Sequence, residues 1–184
     1  MVKKVILGIL ALILVVVIVF CAVVAMQHED FKVTRSAIFN ASPDKVFEQV
    51  NDFHKWDAWS PWAKLDPTMK TTYSGAASGV GSSYSWVGND QVGEGKMVIT
   101  ASHPNEHIAI DLEFIKPFAA KNVTEFMFKP DGDNTNVTWD MTGKNNFMGK
   151  GFNLVMNMDK MVGGDFEKGL AQMKTVVESA PKPQ

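Results

Sequence analysis

The spacing of apolar residues changes character twice along this chain. Residues Val5 to Met26 form 22 consecutive uncharged, almost wholly apolar positions. About 20 such residues cross the hydrocarbon core of a bilayer as a helix, and a backbone in lipid must satisfy its own hydrogen bonds. The run therefore predicts a transmembrane helix over residues 5–26, after a short stub of residues 1–4. Lys3 and Lys4 precede it, and His28, Glu29 and Asp30 follow it. Positive charge is retained on the cytoplasmic side, which places the N-terminus inside and the remainder outside. A cleaved signal peptide is the competing reading, with Val23 and Ala25 at the −3 and −1 positions. The run is longer than the roughly 7–15 residues of a signal core, and Phe20 before Cys21 does not suit lipoprotein processing.

After a junction at residues 27–30, the period becomes two. In "FKVTRSAIFN" the residues Phe31, Val33, Ala37 and Phe39 share one face, which predicts a strand. "ASPDKVFEQV" then offers Ser42 as an N-cap, Pro43 at the first helical position and Asp44 in the first turn. Further strands follow in "MKTTYSG", "GSSYSWVG", "GKMVITASH", "HIAIDLEFI", "KNVTEFMFK" and "NVTWDMTG", with "PNE" and "PDGDNT" as turns. From Leu154 the period becomes three to four. Val155, Met158, Val162, Phe166, Leu170, Met173 and Val177 predict one long amphipathic helix. Gly163, Gly164 and Gly169 lie inside it, at roughly 1 kcal/mol each against alanine. One domain is expected over residues 31–179, with a polar tail at 180–184. The fold class is α+β, a curved antiparallel sheet of about seven strands whose apolar face only the last helix is large enough to cover.

Charge and composition then remove function classes. Beyond residue 26, 16 basic residues face 20 acidic ones, a net −4 with no basic run, so nucleic acid is not an expected partner. The single cysteine, Cys21, sits in the apolar run, leaving the domain without thiol or disulfide chemistry. His103 and His107 bracket a turn and make no helical metal pair. "DGDNTN" lacks the glycine and glutamate that a calcium loop needs at its sixth and twelfth positions. No metal or cofactor is expected. Asn40, Asn122 and Asn136 begin glycosylation sequons, relevant only in a chain that enters an endoplasmic reticulum.

"IFNASPDKVFEQVNDFHKWDAWSPW" resembles the opening of the polyketide-cyclase-like, or SRPBCC, proteins. There, a strand ends in a small residue and proline, a "VF" helix follows, and a tryptophan-rich segment comes next. "VGNDQVGEGKMVIT", "IDLEFIKPF", "VTWDMTG" and "DFEKGLAQMK" resemble the same group. The resemblance covers residues 31–178 and implies the helix-grip, START-like and Bet v 1-like fold. That superfamily hosts binders, carriers and enzymes on one scaffold.

The resemblance also implies a cavity between sheet and long helix. Trp56, Trp59 and Trp62, three tryptophans within "WDAWSPW", would then line its mouth, with Trp59 and Trp62 as a gate. The alternative is an aromatic cluster pinning an irregular segment. The wall would come from Tyr84, Trp86, Met97, Ile99, Ile110, Leu112, Phe114, Phe126, Phe128, Trp139 and Met141, with Met158, Met161 and Val162 on the helix side. Plain core packing is the competing reading for each of them. Arg35, Tyr73 and Asp140 are candidate polar groups in the cavity, whereas Glu94, between two glycines, reads as a turn residue. Three functions stay open. The chain is expected to be a binder of a hydrophobic small molecule (lipid, isoprenoid, quinone or polyketide-like), anchored outside a bacterial cytoplasmic membrane. A cyclase- or hydrolase-like enzyme using polar cavity groups and an envelope protein with a collapsed cavity are the alternatives.

Overall fold

The computed structural model describes residues 2–179; the expected tail at 180–184 lies outside them. Helix α1 (Val2–Ala25) contains an 18-residue stretch of mean hydropathy 3.5 and is long and apolar enough to cross a membrane; a signal sequence would have the same form. Strand β1 (Asp30–Phe39) follows, then helix α2 (Pro43–Asn51) and a 3-10 segment, Phe53–Ala58. Six strands come next: β2 (Lys70–Gly75), β3 (Ser82–Val87), β4 (Glu94–His103), β5 (His107–Lys116), β6 (Ala120–Asp131) and β7 (Asn134–Lys144). Helices α3 (Phe147–Val155) and α4 (Met158–Glu178) end the described chain.

All seven strands form one antiparallel sheet in the order β1-β7-β6-β5-β4-β3-β2. Only the β1–β7 neighbourhood joins distant parts of the chain; every other pair is a hairpin. Tight turns make that possible. Gly132, in the turn joining β6 to β7, and Asn105, between β4 and β5, both take positive φ, a conformation that glycine and asparagine tolerate best. Side chains alternate across a strand, so the registers define rows on the concave face. One row runs Phe31–Gly143–Asn122–Leu112–Met97–Tyr84–Tyr73 across the entire sheet. The next row toward α2 runs Val33–Met141–Thr124–Ile110–Ile99.

Two expectations about the helices need correction. The C-terminal period is interrupted, and the segment is two helices rather than one. Asn157 ends the continuity by accepting the Lys160 N–H through its side chain, an N-cap that starts α4 afresh. Val155, read as part of the buried stripe, is 76% exposed. Ser42 precedes α2 as expected, but makes no side-chain cap bond.

Two of the three glycines of α4 have specific reasons, and Gly164 faces open space. A Cβ on Gly163 would run into the Arg35 guanidinium, and one on Gly169 would sit 2.8 Å from the Trp139 ring. The helix thus approaches β1 and β7 through two notches. Phe166, Leu170, Met173 and Val177 of the same helix are buried, each contributing about 1.5–3 kcal/mol of apolar transfer.

Asp66 fixes the far edge of the sheet. Its carboxylate accepts hydrogen bonds from the Thr68 N–H and hydroxyl and from the Asn89 N–H, which tie the β2 approach to the β3–β4 turn. These bonds hold its pKa below the ordinary aspartate range. A depressed carboxylate contributes stability that is present above its unfolded pKa, near about 4, and lost as pH falls through the folded value. Asp66→Asn is therefore expected to unfold at lower temperature than the parent chain at pH 7, with the gap closing as pH falls below about 4. Thermal unfolding of both proteins across that range checks it; a gap constant with pH would refute the assignment.

Candidate functional site

The tryptophan segment closes one end of the concave face. The Trp56 indole N–H donates to the Val50 carbonyl at 3.0 Å, and that of Trp59 donates to the Gln49 carbonyl at 3.1 Å. Both rings hang from the end of α2. Trp59 has no exposed surface and packs edge-on against Phe126 and Trp139. The gate expected of Trp59 and Trp62 is corrected for the first of them: Trp59 is a core ring. Trp62 is half-buried and stands edge-on to Trp139 and Phe166 at 6.0 and 6.4 Å. Of the three, it alone reaches the rim.

Beneath α4 the rings fill the space. Trp139 stacks on Phe166 at 4.0 Å with 6° between planes, and on Phe126 at 4.7 Å on its other side. The Trp139 N–H donates to the Thr124 hydroxyl, which donates to the Asp140 carbonyl. Phe126, Phe128 and Trp139 are thus core, and Phe128 packs on Phe47 of α2. Met158 is only half-buried, and Met161, expected to face the cavity, is exposed.

The helix lies along β1 and β7 and leaves the concave side of β3–β5 less covered. There, Tyr84, Leu112 and Phe114, with Tyr73 on the neighbouring edge strand β2, point inward yet keep accessible surface; Phe31 on β1 and Val162 of α4 are likewise only partly buried. Trp86 and Met97 floor this groove at 8% exposure each. The Trp86 indole donates to the Val92 carbonyl, and its ring lies over Gly95, where any Cβ would collide. Trp86 also stacks on Tyr84 and meets the edge of Phe114. Of the expected wall, Tyr84, Trp86, Met97, Leu112 and Phe114 are brought together here, whereas Val162 stays with α4 on the core.

The polar candidates separate. Arg35 does project from the inward face, but α4 consumes it. Its guanidinium bonds Glu167 at 2.7 Å, Asp159 at 3.0 Å and the Asp159 carbonyl at 2.9 Å. Those carboxylates raise its pKa, so it stays a cation clamping the helix. Asp140 is corrected outright. It has the opposite parity to Trp139, and its carboxylate meets Lys32 on the convex side at 2.9 Å. Glu94 begins β4 rather than lying in a turn, and pairs with Lys116. Tyr73 stays on the groove, stacked on His54 at 4.1 Å. Burial raises the pKa of Tyr73, helped by Asp57, and burial pushes Tyr84 up more strongly. Both phenols are protonated hydrogen-bond donors at neutral pH.

Asn122 was missed as a site residue, although its parity with Thr124 and Phe126 announced an inward side chain. It is 8% exposed, and its Oδ1 has no hydrogen-bond partner. A hollow of about 680 Å³ spans the ends of β1, β7, β6 and β5, touching Phe31, Leu112, Asn122 and Gly143. Most of its lining is outward-facing, including Lys32, Asp111, Lys121 and Thr142, so it is an open feature of the sheet surface that meets the groove at Leu112. Among the described residues, no cluster of three or more His, Cys, Asp or Glu could hold a metal.

A family model described as polyketide cyclase/dehydrase and lipid transport matches residues 30–178. The chain belongs to this family. Several solved structures share the fold. Protein CV1439 from Chromobacterium violaceum is 12% identical, with a TM-score of 0.60, over 81% of this chain and 98% of that one. Protein MLL2253 from Mesorhizobium loti is 16% identical, TM-score 0.58, over 83% and 100%. The Aha1 dimer from Colwellia psychrerythraea is 15% identical, TM-score 0.58, over 83% and 99%. No curated protein matches the chain. Family and fold together indicate a hydrophobic-ligand-binding or cyclase-like domain, preceded here by one candidate membrane helix.

The different depths of the tryptophans carry a measurable consequence. Trp59→Ala is expected to cost about 3–5 kcal/mol, as for a fully buried aromatic, and Trp62→Ala less than half of that. Urea midpoints of the two variants check this; equal costs would contradict a rim position for Trp62.

Proposed function

We propose that this chain is a membrane-anchored binding domain that holds an apolar molecule in the groove over β3–β5. Residues 31–179 form the binding domain, and residues 5–26 serve as a retained single-pass anchor. Lys3 and Lys4 keep the N-terminus cytoplasmic, and the domain sits outside a bacterial cytoplasmic membrane. The ligand is a lipid, isoprenoid, quinone or polyketide-like compound. The observation that supports the reading best is the partly uncovered inward row Leu112–Met97–Tyr84–Tyr73, with Phe114 and Trp86 beside it. Concave apolar surfaces with a few polar groups are the usual form of small-molecule sites. Tyr73 and Tyr84 would donate to an oxygen of the ligand, and Asn122 has an unpaired amide oxygen for a donor.

A cyclase-like reading draws on the same phenols, since a protonated tyrosine can polarise a carbonyl. Of the charged groups expected in the cavity, Arg35 is committed to α4 and Asp140 to Lys32; the base nearest the phenols is His54, which pairs with Asp52 and stacks on Tyr73.

The fold stands without α1 in structures covered almost end to end by this domain, so residues 27–184 suit a soluble assay. Fluorescence of N-phenyl-1-naphthylamine, an apolar probe, should rise on binding. Leu112→Trp, which fills the groove, should weaken that binding about tenfold, or 1.4 kcal/mol, while leaving the urea midpoint little changed. Unchanged probe affinity in the filled variant would remove the groove as the binding site.

A further inference from the structure

Outside α1, most of the exposed large apolar side chains gather at one end of the sheet. Helix α3 carries Phe147, Met148, Phe152, Leu154 and Val155, all exposed, with Met148 at 71%, and none of its residues is buried. It bears one charge, Lys150, which is 11% exposed and pairs with Glu29 at 3.3 Å. A nine-residue helix of this kind gains nothing from facing water.

Its position is pinned to α1. A Cβ on Gly151 would lie 3.7 Å from a Val24 methyl, and Val24 is the one buried residue of α1. The Asn145 N–H donates to the Glu29 carbonyl at 2.7 Å just before α3 begins. Because Val24 is in the last turn of α1, α3 lies at the depth where that helix ends.

A second apolar segment reaches the same end from elsewhere in the sequence. Asp30 pairs with Lys144 at the start of the sheet, and Phe114 pairs with Ala120 on the same side. The turn between β5 and β6 therefore overhangs the end at which the chain leaves α1. It carries Phe118, 74% exposed, next to exposed Ile115.

We infer that α3 and the β5–β6 turn, through Phe118 and the adjoining Ile115, form a docking surface for the bilayer leaflet from which α1 emerges. The inference rests on the reading of α1 as a retained membrane anchor. Interfacial helices seat an apolar face about 5–10 Å into the boundary between headgroups and acyl chains, and contiguous exposed apolar patches mark such surfaces. The β5–β6 turn stands at the Phe114 end of the groove, and α3 leaves from β7, two strands away at the same end of the sheet. Seated this way, the groove opens onto the lipid, and an apolar ligand passes between leaflet and groove without crossing water. The closed end, sealed by Trp56 and Trp59, faces away.

The test uses the full chain in phosphatidylcholine nanodiscs, with Cys21→Ala removing the native thiol. Single cysteines are placed by Met148→Cys, Phe118→Cys, Leu12→Cys and Asp133→Cys and labelled with a nitrobenzoxadiazole fluorophore. Lipid spin-labelled near the headgroup should quench most of the emission at positions 148 and 118, and lipid spin-labelled near the chain end should quench position 12. Position 133, in the β6–β7 turn at the opposite end, should be quenched by neither. Quenching at 12 without quenching at 148 and 118 would overturn the docking surface while leaving the anchor intact. Labels at 148 and 118 that are shielded from water but insensitive to both lipids would also overturn it, in favour of a protein contact. Absence of quenching at 12 would remove the anchor and the docking surface together.

Discussion

The stack of Phe166 on Trp139 is the contact on which the rest of this domain depends. Two rings lie 4.0 Å apart and nearly parallel, one from α4 and one from the middle of the sheet. Parallel rings at that separation require the helix backbone to come very near the strand, and Gly169 supplies the room. Trp139 cannot swing away, because its indole N–H is held by Thr124, Phe126 stacks on its other face and Trp59 meets its edge. One turn and a half earlier, Gly163 makes a second notch for Arg35, which bonds Asp159 and Glu167 on either side of it. The helix is fixed by shape at one point and by charge at another, and both points lie on the β1–β7 side of the sheet.

Where the helix lies decides what is left open. A helix centred on the sheet would bury Leu112, Tyr84 and Tyr73. This one, drawn to β1 and β7, leaves them partly accessible on the concave side of β3–β5. The Trp56–Trp59 pair, tied by indole hydrogen bonds to α2, shuts the end beside Phe126. Among the described residues no tryptophan pair closes the opposite end, which is the end at which α1 joins the domain. An uncovered concave strip on the same domain as the candidate membrane helix follows from two glycines and a cluster of tryptophans.

Much of the fold was legible because alternation is a strong signal wherever one face is buried. Val137, Trp139 and Met141, or Ile108, Ile110 and Leu112, could sit only on strands with a common inward side. The break at Met156–Asn157 was not legible, since Val155 and Met158 keep the helical spacing, and what interrupts it is the cap formed by Asn157. The depth of Trp59 was hidden for another reason: it depends on a bond to Gln49 and on rings from β6 and β7, far away in sequence. Asp140 is different. Lying between Trp139 and Met141, it had to point outward, and simple parity excluded it from the cavity. Arg35 was correctly placed on the inward face, but its partners come from a helix 124 and 132 residues later in the chain, which periodicity cannot reveal.

The central claim is that apolar ligands enter the groove over β3–β5 and not the ring-filled space beneath α4. Methyl NMR of the domain labelled at leucine, isoleucine and methionine tests it directly, with a nitroxide-bearing fatty acid as ligand. The account predicts broadening of the Leu112 and Met97 methyls at ligand levels that leave Leu170 and Met173, packed beneath α4, sharp. Broadening centred on Leu170 and Met173, or none at any methyl, would contradict it.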